Sequence, residues 1–203
     1  MHPPKGVQSY GDGVGQDLPE ELLVQRASLG DPAAFGWLAR RHQDALFNTI
    51  YRITGNQDLA YDVVQESFLK AYNAIAGFRS GSRFYTWLYR IALNTLRSHW
   101  RKEGRRPGEQ SLTEDPPDLG IGQGSDDPAI AAQKKEMEQI IQQSISALPD
   151  PQREILVLRD VEQLEYDQIA EILDLSLGTV KSRLHRARMT LKEKLRHLWE
   201  GDL

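Results

Sequence analysis

The sequence predicts an all-α chain built as two small helical domains joined by a flexible acidic linker. Three observations carry that prediction. Apolar residues recur at helical spacing through nearly every ordered stretch, and no segment alternates as a half-buried strand would. A Pro-, Gly- and Asp-rich run interrupts the pattern near the middle. Past it, the chain ends in a short helix, a four-residue turn and a strongly basic helix. At 203 residues there is room for two small bodies.

The elements follow in order. Residues 1–16, rich in Gly, Pro and polar side chains, read as a loose tail. Asp17 and Glu20 have capping-box spacing and open a first helix. Asp31-Pro32 supplies an N-cap and a proline at the first helical position. Phe35, Leu38, Ala45, Leu46 and Ile50 then mark a long second helix that stops at "TGN". Asp58 opens a third, to about Tyr72, with Leu59, Val63, Val64, Phe68 and Tyr72 in its stripe. After "AGFRSGS" a fourth runs from Phe84 to Lys102. Residues 107–128 hold six acidic residues, no basic ones, and four each of Pro and Gly, too little apolar surface to offset chain entropy. This is the linker. Beyond it, Met137, Ile140, Ile141, Ile145 and Leu148 line another helix, and Asp150-Pro151 restarts the chain as cap and first position.

Composition narrows function by exclusion. The chain has no cysteine, which removes disulfides and thiolate metal sites and suits a reducing compartment. The absence of a secretion signal or a membrane-length apolar run predicts a cytoplasmic protein without membrane insertion. The five histidines do not cluster, and neither a phosphate-binding GxxxxGK nor an HExxH is present, so no cofactor, metal or catalytic residue is expected. A net charge of −4 does not exclude nucleic acid, because the footprint depends on where charge sits.

Charge sits in two places. In "SLGTVKSRLHRARMTLKEKL" (176–195), a helical plot places Val180, Leu184, Ala187 and Leu191 on one side. Ser182 and Arg186 face away, with Thr179 and His185 beside them and Lys181, Arg183 and Arg188 on the flanks. Such a helix can pack by one face and enter a major groove by the other, Arg186 forking to guanine while flanking cations meet phosphate. A solvated basic face is the alternative. The turn with Asp174, the Ser176 cap and small Ala170 favour a helix-turn-helix. The second cluster, residues 78–106, has eight basic residues against one acidic, interleaved with aromatics, a pattern that suits single-stranded or distorted nucleic acid. Trp87 and Trp100 fall near the apolar stripe and are expected in the core; Phe78 lies in a Gly/Ser loop outside it.

"DVVQESFLKAY", "FYTWLYRIALNTLRSHWRKEGRRP" and "EYDQIAEILDLSLGTVKSRLHRAR", in that order and split by an acidic linker, resemble the extracytoplasmic-function (ECF) sigma factors of the sigma-70 family, of the RpoE-like type. The resemblance spans residues 18–198. It implies a sigma-2 domain over 18–103, a linker over 104–131 and a sigma-4 domain over 132–200. It also implies an alternative sigma factor, not an enzyme, that binds core RNA polymerase through the β′ clamp and β flap and directs initiation at promoter DNA. The implied core-binding residues are Asp62, Gln65, Glu66 and Lys70. The melted −10 strand falls to Phe78, Arg79, Ser80, Arg83, Arg90, Asn94, Arg97 and Arg101, with Phe78 helping to form a pocket for a flipped base. The duplex −35 element falls to Thr179, Lys181, Ser182, Arg183, His185 and Arg186. Arg83 stands where some members carry a small residue. An anti-sigma partner, often membrane-anchored, is implied too. The competing reading is a conventional helix-turn-helix regulator, which would act on two-fold symmetric sites without the polymerase.

Overall fold

A computed structural model describes residues 17–78, 83–102 and 128–200, and among these residues the regular structure is helical throughout. The expected tail and most of the expected linker lie outside the described residues, as do Arg79 and Ser80. The first half contains α1 (Glu20–Ser28), α2 (Pro32–Thr54), α3 (Gln57–Ala74), a 3₁₀ turn (Ile75–Gly77) and α4 (Phe84–Lys102). The second contains α5 (Pro128–Ser146), α6 (Asp150–Leu156) widening into a π turn (Val157–Val161), α7 (Tyr166–Leu173) and α8 (Leu177–Glu200).

Local chemistry explains the boundaries. Asp31 caps α2, its Oδ1 accepting from the amides of Ala33 (3.0 Å) and Ala34 (3.2 Å). Gly55 ends α2 in the left-handed region (φ 64°), where a side chain would be strained. Three expected caps are shifted. Pro19, with no side-chain bond, precedes α1 in place of the Asp17 capping box. Asn56, not Asp58, starts α3, accepting from the Leu59 amide at 2.9 Å. Asp150 is the first helical residue of α6, behind Pro149, because its carboxylate is taken by Arg153 (2.9 Å). α5 begins at Pro128, inside the stretch read as linker.

α1–α4 form a bundle around Leu23, Leu38, Leu46, Ile50, Val63, Leu88, Leu93 and Leu96, all buried. In the second half Leu148, Ile155, Leu158, Ile169, Val180 and Leu184 play the same part, and the two apolar groups join in one cluster. The halves therefore meet directly. The last turn of α2 is buried from Thr49 to Gly55, polar residues included. A helix end leaves carbonyls without intrahelical partners, and here the other half supplies them. Gln142 Nε2 donates to the Arg52 carbonyl (3.1 Å) and an Arg153 guanidinium nitrogen to the Ile53 carbonyl (2.6 Å). Arg153 is 1% exposed. Its positive charge at a helix C-terminus is favourably placed against the dipole, and it also donates to the Leu148 carbonyl (2.8 Å). Burial pulls its pKa below the ordinary arginine range, opposed by Asp150 and Glu154.

Candidate nucleic-acid interface

α7, the turn and α8 form the expected helix-turn-helix. Asp174 takes the left-handed conformation (φ 56°, ψ 53°) that reverses the chain after α7. Ser176 caps α8, its Oγ accepting from the Thr179 amide at 3.2 Å. Glu165 and Gln168 form a reciprocal capping box on α7. With both ends fixed, Val180, Leu184 and Ala187 are buried, which turns Lys181, Ser182, His185 and Arg186 outward. Thr179 and Arg183 are half-buried. Thr179, Arg183 and Arg186 line an open cleft of about 220 Å³ with Pro149, Pro151 and Gln152. Arg188, on the flank, instead pairs with Asp160 (Nε to Oδ2 3.0 Å) and ties α8 to the π turn. All six residues expected at the −35 element thus share one helix, four of them exposed.

On α4, Leu88, Ala92, Leu93 and Leu96 are buried, leaving Arg90, Asn94 and Arg101 exposed along the opposite stripe. Arg97 belongs to that stripe but is engaged. It donates twice to Glu154 of α6, Nε to Oε1 at 3.1 Å and a terminal nitrogen to Oε2 at 2.5 Å, and once to Asn94 Oδ1 at 3.4 Å. Arg101 donates to Ser98 Oγ at 2.9 Å. Arg83 is exposed. Phe78 is half-buried, edge-on to Trp87 with ring centroids 5.1 Å apart and 6.1 Å from Phe84. Trp87 and Trp100 are half-buried against the core, as their spacing predicts.

On α3, Asp62 and Gln65 are exposed, while Glu66 and Lys70 are tied to each other (2.7 Å). Glu66 also meets His99 of α4 (2.7 Å), and Lys70 donates to Thr95 Oγ1 (3.0 Å). Lys70 and then His99 hold the Glu66 carboxyl down at about 2, below its ordinary 4.5.

Sequence reasoning missed the polar residues that join the halves. Glu162 accepts from Thr49 Oγ1 (2.6 Å) and from Tyr89 OH (3.1 Å), and Gln168 donates to Tyr85 OH. Glu154 is only 3% exposed. A carboxylate inside the apolar run "REILVL" was the one local sign available.

Residues 38–106 match the family Sigma-70 region 2, and residues 138–191 match Sigma-70, region 4. The chain is 40% identical to the ECF RNA polymerase sigma-E factor of Haemophilus influenzae, over 91% of this chain and 100% of that protein. It is 38% identical to the RNA polymerase sigma-H factor of Pseudomonas aeruginosa, over 88% of this chain and 95% of that one. Among solved structures it resembles CnrH in complex with the cytosolic domain of CnrY (TM-score 0.64, 27% identity, 91% of this chain and 99% of that one). It likewise resembles the sigma factor RpoE in complex with the anti-sigma factor NepR from Bartonella quintana (TM-score 0.64, 26% identity, 80% and 96%).

Proposed function

The chain belongs to the ECF sigma factors of the sigma-70 family, and from that premise we propose how its residues divide the work of promoter recognition. As an alternative sigma factor it binds core RNA polymerase and directs promoter-specific initiation; family membership sets the conventional regulator aside. The observation that carries the residue assignments is the two-faced α8. Its buried side locks it to the domain, and its outward Lys181, Ser182, His185 and Arg186 are free to enter a groove.

The sigma-4 domain (132–200) reads −35 as duplex. Thr179, Ser182 and Arg186 face base edges, and Lys181 and Arg183 meet phosphates, with His185 beside them. The sigma-2 domain (18–103) receives −10 as a melted strand. Arg83, Arg90, Arg97 and Arg101 follow the backbone, Asn94 reads a base, and Phe78 with Arg79 and Ser80 receives a flipped one. Packing of Phe78 on Trp87 and Phe84 supports this role, because it gives an incoming base an aromatic wall already in place. Residues 104–131 tether the readers. Asp62 and Gln65, with the Glu66–Lys70 pair, dock on the β′ clamp, and sigma-4 meets the β flap. The chain performs no catalytic step; phosphodiester chemistry belongs to the polymerase.

Because the B. quintana RpoE is found in complex with the anti-sigma factor NepR, and CnrH with the cytosolic domain of CnrY, an anti-sigma partner is proposed here too. Among the described residues no helix is long and apolar enough to cross a membrane. A cytoplasmic location is proposed on that basis, with tethering left to the partner.

Co-elution with core polymerase, followed by run-off transcription from a promoter library, tests the assignment. Asp62→Ala with Gln65→Ala is expected to weaken co-elution at least tenfold while leaving the circular dichroism unchanged. Co-elution unaffected by that pair removes α3 as the docking helix.

A further inference from the structure

The stripe of α2 that faces the core carries one residue out of character. Leu38, His42 and Leu46 follow one another at four-residue spacing. Both leucines are fully buried, and between them stands an imidazole with 15% of its side chain exposed. A polar ring in a core register needs a partner, and Glu20, the first residue of α1, supplies one. His42 Nε2 donates to Glu20 Oε2 at 2.8 Å, since an ionised carboxylate can only accept. That bond, more than any other influence, holds the Glu20 carboxyl below its ordinary range, against the opposing effect of burial. The neighbouring Arg41 donates to the Leu18 carbonyl at 2.6 Å, so two consecutive residues of α2 fasten the start of α1.

The same imidazole lies 5.4 Å from the ring of Phe84, tilted by 50°. Phe84 is itself buried, with its ring 5.8 Å from Trp87 and 6.1 Å from Phe78. Phe78 and Trp87, edge-on to each other at 5.1 Å, are the half-buried members of this aromatic group. Glu20, His42, Phe84 and the Phe78–Trp87 wall therefore form a continuous series of contacts from α1 to the place assigned to the flipped base.

We propose that His42, tethered by Glu20, is a positioning residue for capture of the −10 strand: its ring fixes Phe84, and through Phe84 the wall against which the flipped base lies. This rests on the promoter-recognition reading above. Extrusion costs a few kcal/mol of lost stacking, so the pocket gains most when its wall is in place before the base arrives. A leucine at position 42 would fill the stripe but could not bond to Glu20. The hydrogen bond selects one ring orientation, and that orientation is what reaches Phe84. On this account α1, to which neither DNA nor polymerase contacts are assigned, becomes part of the strand reader. The effect is confined to the base. Asp62 and Gln65 dock from α3, and the −35 residues lie on α8, so neither contact passes through His42.

The full chain is assembled with core polymerase and titrated with a fluorescent 20-mer carrying the non-template −10 strand of a promoter chosen by run-off. An abasic spacer placed at each position in turn finds the flipped base, whose loss is expected to weaken binding by the unaltered chain at least tenfold. His42→Ala is expected to bind the intact strand about tenfold more weakly, yet to match the unaltered chain on the strand abasic at that position, with co-elution unchanged. His42→Phe, which restores a ring, is expected to recover to within threefold of the unaltered chain. Glu20→Ala, which releases the ring, is expected to lose about threefold on the intact strand alone. Equal loss on both strands marks His42 as general support of the fold and overturns the proposal. So does undiminished binding by His42→Ala, or His42→Phe binding no better than His42→Ala.

A second measurement uses neither polymerase nor DNA. The five phenylalanines carry para-fluorine, and Phe78 is assigned by the signal lost in Phe78→Leu. Glu20→Ala and His42→Ala are each expected to shift that signal, and a Phe78 resonance unmoved in both overturns the proposal. If no abasic position weakens the unaltered chain, the flipped-base reading falls instead, and the fluorine spectra still decide whether α1 acts on the wall.

Discussion

Glu66 shows how a single carboxylate can be both surface and structure. Its pairing with Lys70 and His99 puts its folded-state pKa near 2, against an ordinary 4.5. Because that pKa is depressed, the stabilisation is fully present above about 4.5 and is lost as pH falls towards 2. A carbon-detected NMR titration should therefore find the Glu66 carboxyl ionised at pH 3.5, and His99→Ala should move its midpoint upward. At the same scale, Arg186 is exposed and aimed outward beside Thr179 and Arg183. Its replacement by alanine is expected to cost about 1–3 kcal/mol at one −35 base pair, with the other positions unaffected, if the contact is a bidentate fork to guanine. Binding measured across single-base variants of the site distinguishes that outcome from a uniform loss, which would mark Arg186 as a phosphate contact.

At the scale of elements, local chemistry was readable wherever a residue acts on its neighbours. The Asp31-Pro32 start, the Gly55 stop, the left-handed Asp174 and the Ser176 cap are each specified within a few positions, and each is found. Asp31→Ala is expected to lose about 1 kcal/mol of stability, read as a lower urea midpoint with unchanged slope. Asp150 escaped local reasoning because its cap role is pre-empted by Arg153, a competition that N-cap preference alone does not register. The two-faced pattern of α8 was legible for the same reason that Asp31 was: helical periodicity is a short-range signal. The burial of Thr49, Arg52 and Thr54 was not, because the end of α2 packs against side chains 90 to 113 residues away. The family resemblance implies a strand contact for Arg97, but nothing near it in the sequence announces its pairing with Glu154.

At the scale of the whole molecule, the buried Arg153 is the point where both halves depend on one side chain. It serves the Ile53 carbonyl in the first half and the Leu148 carbonyl and Asp150 in the second. Removing it strands a nearly buried carboxylate and two carbonyls, so Arg153→Met is expected to cost about 3–5 kcal/mol, a large part of a typical domain's stability. Urea unfolding followed by fluorescence checks this, and a loss below about 1 kcal/mol would mean that the guanidinium is well solvated. The arrangement at the end of α2 has one more consequence. The carbonyls of Arg52 and Ile53 are held by Gln142 and Arg153 while the halves touch, and must turn to solvent when they part. Carbon-13 placed at those two carbonyls would accordingly give a vibrational marker whose infrared frequency reports, without any attached dye, whether the two halves are in contact.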